Sequence, residues 1–131
     1  MTRTEKAASP LDTLPSPIVT AVEAALAKKA SHVTVLDLRK GGAFADYFVI
    51  GSGQTSRQVT AIVDAIEEAL KAEGIRPSHI EGYERADWVL MDYFDFIVHV
   101  FTPQMRAFYG LERLWGSAVQ HDIPDDRKPA R

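Results

Sequence analysis

Between Thr55 and Gly74 the chain carries apolar residues at Val59, Ile62, Val63, Ile66 and Leu70, spaced i, i+3, i+4, i+7 and i+11. At 3.6 residues per turn these positions form one stripe, and Asp64, Glu67, Glu68 and Lys71 fall on the opposite side. Thr55 or Ser56 supplies a hydroxyl cap at one end, and Gly74 lies just beyond the other. A helix of this kind is stable only when its stripe is buried against a second layer. The strands on either side supply that layer.

His32 to Leu38 reads as a strand from its β-branched content and its alternation around Val33, Val35 and Asp37. Gly41-Gly42 ends it, and Tyr47 to Ile50 predicts a second, short apolar strand that forms a hairpin with the first. Trp88 to Tyr93 and Phe96 to Phe101 predict two more, joined around Phe94-Asp95. Ser16-Pro17 and Thr102-Pro103 each pair a capping hydroxyl with a proline suited to the first helical position. They predict a helix to about Ala30, burying Ile18, Val22, Ala25 and Leu26. They also predict one to about Ala118 that includes Met105, Phe108, Leu111, Trp115 and Ala118. Ile75 to Asp87, with Pro77 and Gly82, reads as a connection. The order α-β-β-α-β-β-α implies an α/β fold, a mixed β-sheet with packed helices. A chain of 131 residues has room for one such domain, expected at 16–118 between flexible tails at 1–15 and 119–131.

Charge narrows the choice of partner. With a formal net charge of −3 and scattered Lys and Arg, the chain lacks the basic cluster that releases counterions from nucleic acid. No direct nucleic-acid binding is expected, and a basic protein surface suits it better. The absence of cysteine excludes disulfides, thiolate catalysis and Cys-ligated zinc. No apolar run approaches the roughly 20 residues of a membrane span, and Met1 to Pro15 has no apolar signal core. The expected location is therefore cytoplasmic.

Chemistry has few footholds. Gly51-Ser52-Gly53, between a strand and a helix, could cradle a phosphate, but neither a Gly-x-Gly-x-x-Gly pattern nor a Walker lysine follows. Backbone geometry explains the glycines more simply. Asp92 and Asp95, with Asp37 and Asp46 farther off, could hold Mg²⁺ for a nucleotidyl- or phosphotransferase. Two acids on one strand would have to stand two residues apart to share a metal, and these stand three apart across a turn. His99 has no triad spacing and fits a histidine hydrogen-bonded within its own fold. His32, His79 and His121 show no ligand spacing and read as surface residues. No catalytic residue, metal or cofactor is assigned. The crowd of Glu81, Tyr83, Glu84, Asp87, Trp88, Asp92, Tyr93 and Asp95 admits two readings: a core tryptophan with solvated acids, or an interface with aromatic anchors and an acidic rim.

Three blocks carry a resemblance to a known family. DYFVIGSGQTSRQV from Asp46 to Val59, EGYERADWVLMDYFDFIVHVF from Glu81 to Phe101, and RAFYGLERLW from Arg106 to Trp115 are similar, in order and spacing, to the RsfS/Iojap ribosomal silencing factors. The likeness covers about Pro17 to Ala118. It implies a nucleotidyltransferase-like fold without enzymatic activity, homodimers when free, and a part in large-subunit biogenesis. It also implies binding to the fourteenth protein of the large ribosomal subunit, which blocks joining of the small subunit and represses translation. Carried over by position, the contact falls on Trp88, Met91, Asp92, Tyr93 and Asp95. Trp88 and Tyr93 would be anchors, and Asp92 and Asp95 would be partners for Lys or Arg. The family usually has glycine where this chain has Phe94, so the resemblance leaves the turn before Asp95 open to change.

Overall fold

The computed structural model describes residues 10–41, 45–116 and 118–124. Its elements are α1 (Ser16–Ala27), β1 (Ser31–Asp37), β2 (Tyr47–Ser52), α2 (Ser56–Lys71), β3 (His79–Glu81), β4 (Trp88–Asp92), β5 (Phe96–Phe101), α3 (Pro103–Tyr109), α4 (Leu111–Leu114) and β6 (Val119–Asp122). The strands make one six-stranded sheet in the order β3-β4-β5-β2-β1-β6. β2 and β5 run parallel in the middle, with Tyr47 opposite Phe96 and Ser52 opposite Phe101, and every other pairing is antiparallel.

α1 and α2 cover one face. Val59, Ile62, Val63, Ile66 and Leu70 of α2 are all buried, and they meet Ile18, Ala21, Val22 and Ala25 of α1 over Val33, Val35, Val49, Val98 and Val100 of the sheet. Thr55 caps α2, accepting the Gln58 N–H at 3.1 Å. At α1 no side chain caps the start. The hydroxyl cap expected from Ser16 is not made; the Pro15 carbonyl accepts the first helical bond from the Val19 N–H, and the helix stops at Ala27, with Lys29 then in left-handed backbone.

The other face holds a second cluster, with Leu36, Phe48, Ile50, Ile97 and Phe101 at its centre and Met105, Leu111 and Trp115 partly buried over them. Its cover is thin because the last helix is shorter than its sequence suggests. Gly110 adopts left-handed backbone (φ +56°) and splits Pro103–Leu114 into α3 and α4, neither with a buried residue. A glycine there is the usual helix terminator. Phe108, expected in the apolar stripe, is 75% exposed.

Two strands lie where none was expected. β3 forms within the Ile75 to Asp87 connection and pairs His79 with Asp92. β6 pairs with β1, and Ile123 behind it is buried, so 119–123 is built into the sheet edge and does not fray. Pro10–Thr13 is a short 3₁₀ turn inside the expected tail. The expectations for 1–9, Gly42 and 125–131 lie outside the described residues.

Arg106 ties this second layer down. Its guanidinium, with the side chain 11% exposed, donates to Ser52 Oγ of β2 at 2.9 Å, Thr34 Oγ1 of β1 at 3.3 Å and Glu112 Oε2 of α4 at 2.7 Å. Truncation would strand Glu112 and two hydroxyls together. Arg106→Ala is expected to lower stability by about 3 kcal/mol in urea unfolding, far beyond the effect of removing an exposed pair.

Candidate functional site

On β4 burial alternates as the strand period requires. Val89 and Met91 turn toward the helices, whereas Trp88, Leu90 and Asp92 lie half-buried on the thinly covered face. The five residues expected at a contact surface thus divide. Met91 (0% exposed) and Tyr93 (6%) are core residues and do not lie on the surface where they were expected. Met91 sits in the helix-side cluster, and Tyr93 stacks on Phe96 with ring centroids 4.9 Å apart. Burial pushes the Tyr93 phenol up to about 12. Trp88 and Asp92 share the open face, and Asp95 is exposed at the hairpin tip. The stretch thus divides between core residues, Met91 and Tyr93, and side chains that stay half-buried or exposed, Trp88, Asp92 and Asp95.

Trp88 is held on several sides. Its ring stacks on Phe101 at 5.2 Å and lies 4.4 Å from Tyr109 of α3. Its indole Nε1–H donates to His99 Nδ1 at 3.1 Å. Phe108 meets Tyr109 edge-on at 5.1 Å, so an aromatic run extends from the exposed α3 surface to the tryptophan. Phe108, Tyr109 and Leu90 were absent from the expected surface. Gly110 was the signal that could have placed the first two outside the core.

Acids border this run. Glu81 lies opposite Leu90 and His79 opposite Asp92, with His79 Nε2 3.0 Å from Glu81 Oε2. Asp87 pairs with Arg85 at 3.0 Å. Asp92 Oδ1 accepts the Phe94 N–H at 2.9 Å, and Asp95 N–H donates to the Tyr93 carbonyl at 2.9 Å, closing a three-residue turn on Phe94. Phe94 adopts φ +72°, so this chain keeps a glycine-type turn with a phenylalanine in it, 72% exposed. Positive φ disfavours such a side chain by about 1–2 kcal/mol. Among the described residues, Asp95 forms no ion pair.

The other sequence candidates resolve into structure. A Cβ on Gly53 would stand 2.9 Å from the Val59 backbone nitrogen, so this glycine permits the close approach of strand and helix. The amides at the start of α2 are engaged within the chain: Gln54 N–H by Gln58 Oε1 at 2.7 Å, and Gln58 N–H by Thr55. Asp37 forms a bidentate pair with Arg39 at 2.9 and 2.7 Å, which holds its carboxyl below the usual range. Among the described residues no three Asp, Glu or His side chains gather as a metal-binding set, and no helix is long and apolar enough to cross a membrane.

Known proteins place this geometry. The family described as "Ribosomal silencing factor during starvation" matches residues 12–131. The chain belongs to that family. The silencing factor RsfS of Zymomonas mobilis is 44% identical over 96 residues, covering 73% of this chain and 72% of the relative. That of Bacillus subtilis is 40% identical over 73% of this chain and 81% of its own. Mouse "Mitochondrial assembly of ribosomal large subunit protein 1" is 32% identical, over 67% of this chain and 40% of the relative. A crystal structure of a Chromobacterium violaceum protein superposes with a TM-score of 0.72 at 34% identity, covering 74% of this chain and 81% of that one. The match to the silencing-factor family runs past Ala118 and so includes β6.

Within this silencing-factor chain His99 is 4% exposed, and burial pushes its imidazole down from 6.5 to about 4. The unfolded chain therefore takes up a proton at higher pH than the folded one. Burying this residue carries no protonation penalty above pH 6.5, and a penalty that grows as pH falls toward 4. From pH 7 to pH 5 that penalty grows by about 2 kcal/mol. Urea unfolding at the two pH values should show a difference smaller by that amount in His99→Leu than in the parent.

Proposed function

We propose that this protein docks on the large ribosomal subunit, on its fourteenth protein, through the open sheet face around Trp88, and so keeps the small subunit from joining. Membership of the silencing-factor family supports the class of action. The observation that carries the surface is Trp88 itself, half-buried and braced by Phe101 and Tyr109, with Glu81 opposite Leu90 and with Asp92 and Asp95 farther along β4 and its hairpin. A braced aromatic loses little entropy on contact, which is the character of an interface hot spot. The acids select a basic partner and steer its approach.

The action is steric: the domain occupies volume that the small subunit needs, and no bond is made or broken. In this reading the factor works in the cytoplasm and lowers translation, and starvation, the condition that the family description names, is when it acts. The mouse relative's name refers to large-subunit assembly, and a late assembly role fits the same docking.

Sucrose gradients of purified subunits test the proposal. Excess protein should co-sediment with large subunits and deplete joined ribosomes; failure to do either sinks it. Trp88→Ala should weaken docking by about 2 kcal/mol or more with the fold intact. Asp95→Lys, at an exposed position, should slow association and reverse part of its salt dependence. An unchanged rate would remove Asp95 from the rim.

A further inference from the structure

We infer that His99 is the positioning residue of the docking face: buried behind Trp88, it accepts the indole N–H and thereby turns only the carbon edge of that ring toward a partner. The inference rests on the docking role proposed for Trp88. It adds the group that decides what Trp88 presents.

The geometry is specific. His99 lies opposite Leu90 in the β4–β5 pairing, with Phe48 at 4.6 Å and Phe101 at 6.0 Å from its ring. Nδ1 receives the Trp88 N–H at 3.1 Å, so in neutral imidazole the ring proton resides on Nε2. The one polar atom of the indole is thus spent inward, on a side chain 4% exposed. Whatever part of Trp88 reaches solvent is therefore carbon. Without an acceptor behind it, the ring could turn over and direct its N–H to water, which would place a hydrated donor in the middle of an apolar contact.

The histidine is a poor choice on packing grounds. Its Nε2 is buried with no hydrogen-bond partner. Native structures leave few such groups unsatisfied, and each calls for an explanation. A leucine would fill the aromatic layer without that penalty, but it could not hold the indole. Retaining an unsatisfied group at this spot is intelligible if orientation of Trp88 matters more than local stability.

Three measurements decide the matter. In the parent protein the Trp88 indole N–H should exchange slowly with deuterium by NMR; exchange at solvent rates would show that the bond is not held and overturn the inference. His99→Leu should be at least as stable as the parent at pH 7, yet lose that slow exchange and bind large subunits about tenfold more weakly. A purely structural histidine predicts the reverse coupling, with stability and binding falling together. His99→Asn, whose Oδ1 can stand where Nδ1 stood, should restore both protection and binding. Parent-like binding by His99→Leu with the indole signal lost would overturn the positioning role. If the parent itself does not bind large subunits, the docking proposal fails separately, and the exchange data still report whether His99 sets the ring.

Discussion

A sheet has two apolar faces, and among the described residues only two helices are long, both on the same side. The α1–α2 layer satisfies the constraint there so completely that the five stripe residues of α2 are at most 1% exposed. On the opposite side the cover is α3 and α4, short segments separated by a left-handed glycine. They shield the middle of the sheet and leave the β4 margin half open. The proposed contact surface is the part of the sheet that the described residues leave half covered.

An incompletely covered apolar margin is normally an aggregation liability. Here it is hedged by charge, with Glu81, Asp92 and Asp95 along the margin and its hairpin, and with Asp87 next to Trp88. These acids keep water close to a patch that would otherwise attract any apolar surface, and they repel acidic ones. For the proposed docking, specificity would come as much from what the rim excludes as from what the tryptophan attracts. Arg106, paired within the chain, is withdrawn from this balance and serves to anchor the thin layer.

Much of the architecture was legible because periodicity is a burial signal. The α2 stripe follows directly from it, whereas the Tyr47 strand and the β5 span from Phe96 to Phe101 are legible as short apolar runs of β-forming residues, which end up buried along their whole length. β3 and β6 were not legible, since each is a short edge strand with polar residues, held by pairing with a partner that local sequence does not name. Helix length failed at Gly110 because the stripe from Met105 to Trp115 continues across it, and a terminator inside a periodic run is easily overridden in reading. At the site, composition found Trp88 but could not assign faces. The alternation that sends Trp88 outward necessarily sends Met91 to the other side of the sheet, and Tyr93 follows it.

The β4–β5 turn shows why a site residue and a structural residue need not be different residues. Asp92 is a candidate contact acid, yet one of its oxygens caps the Phe94 amide and so supports a φ of +72° that phenylalanine resists. Removing that carboxylate would weaken the turn and move Asp95 along with it, whose own amide closes the turn on Tyr93. A docking defect from Asp92 would then combine lost charge with a displaced hairpin. Among the described residues the Asp95 side chain has no such second duty, so charge at the rim is read cleanly there, and Asp92 reports the turn and the charge together.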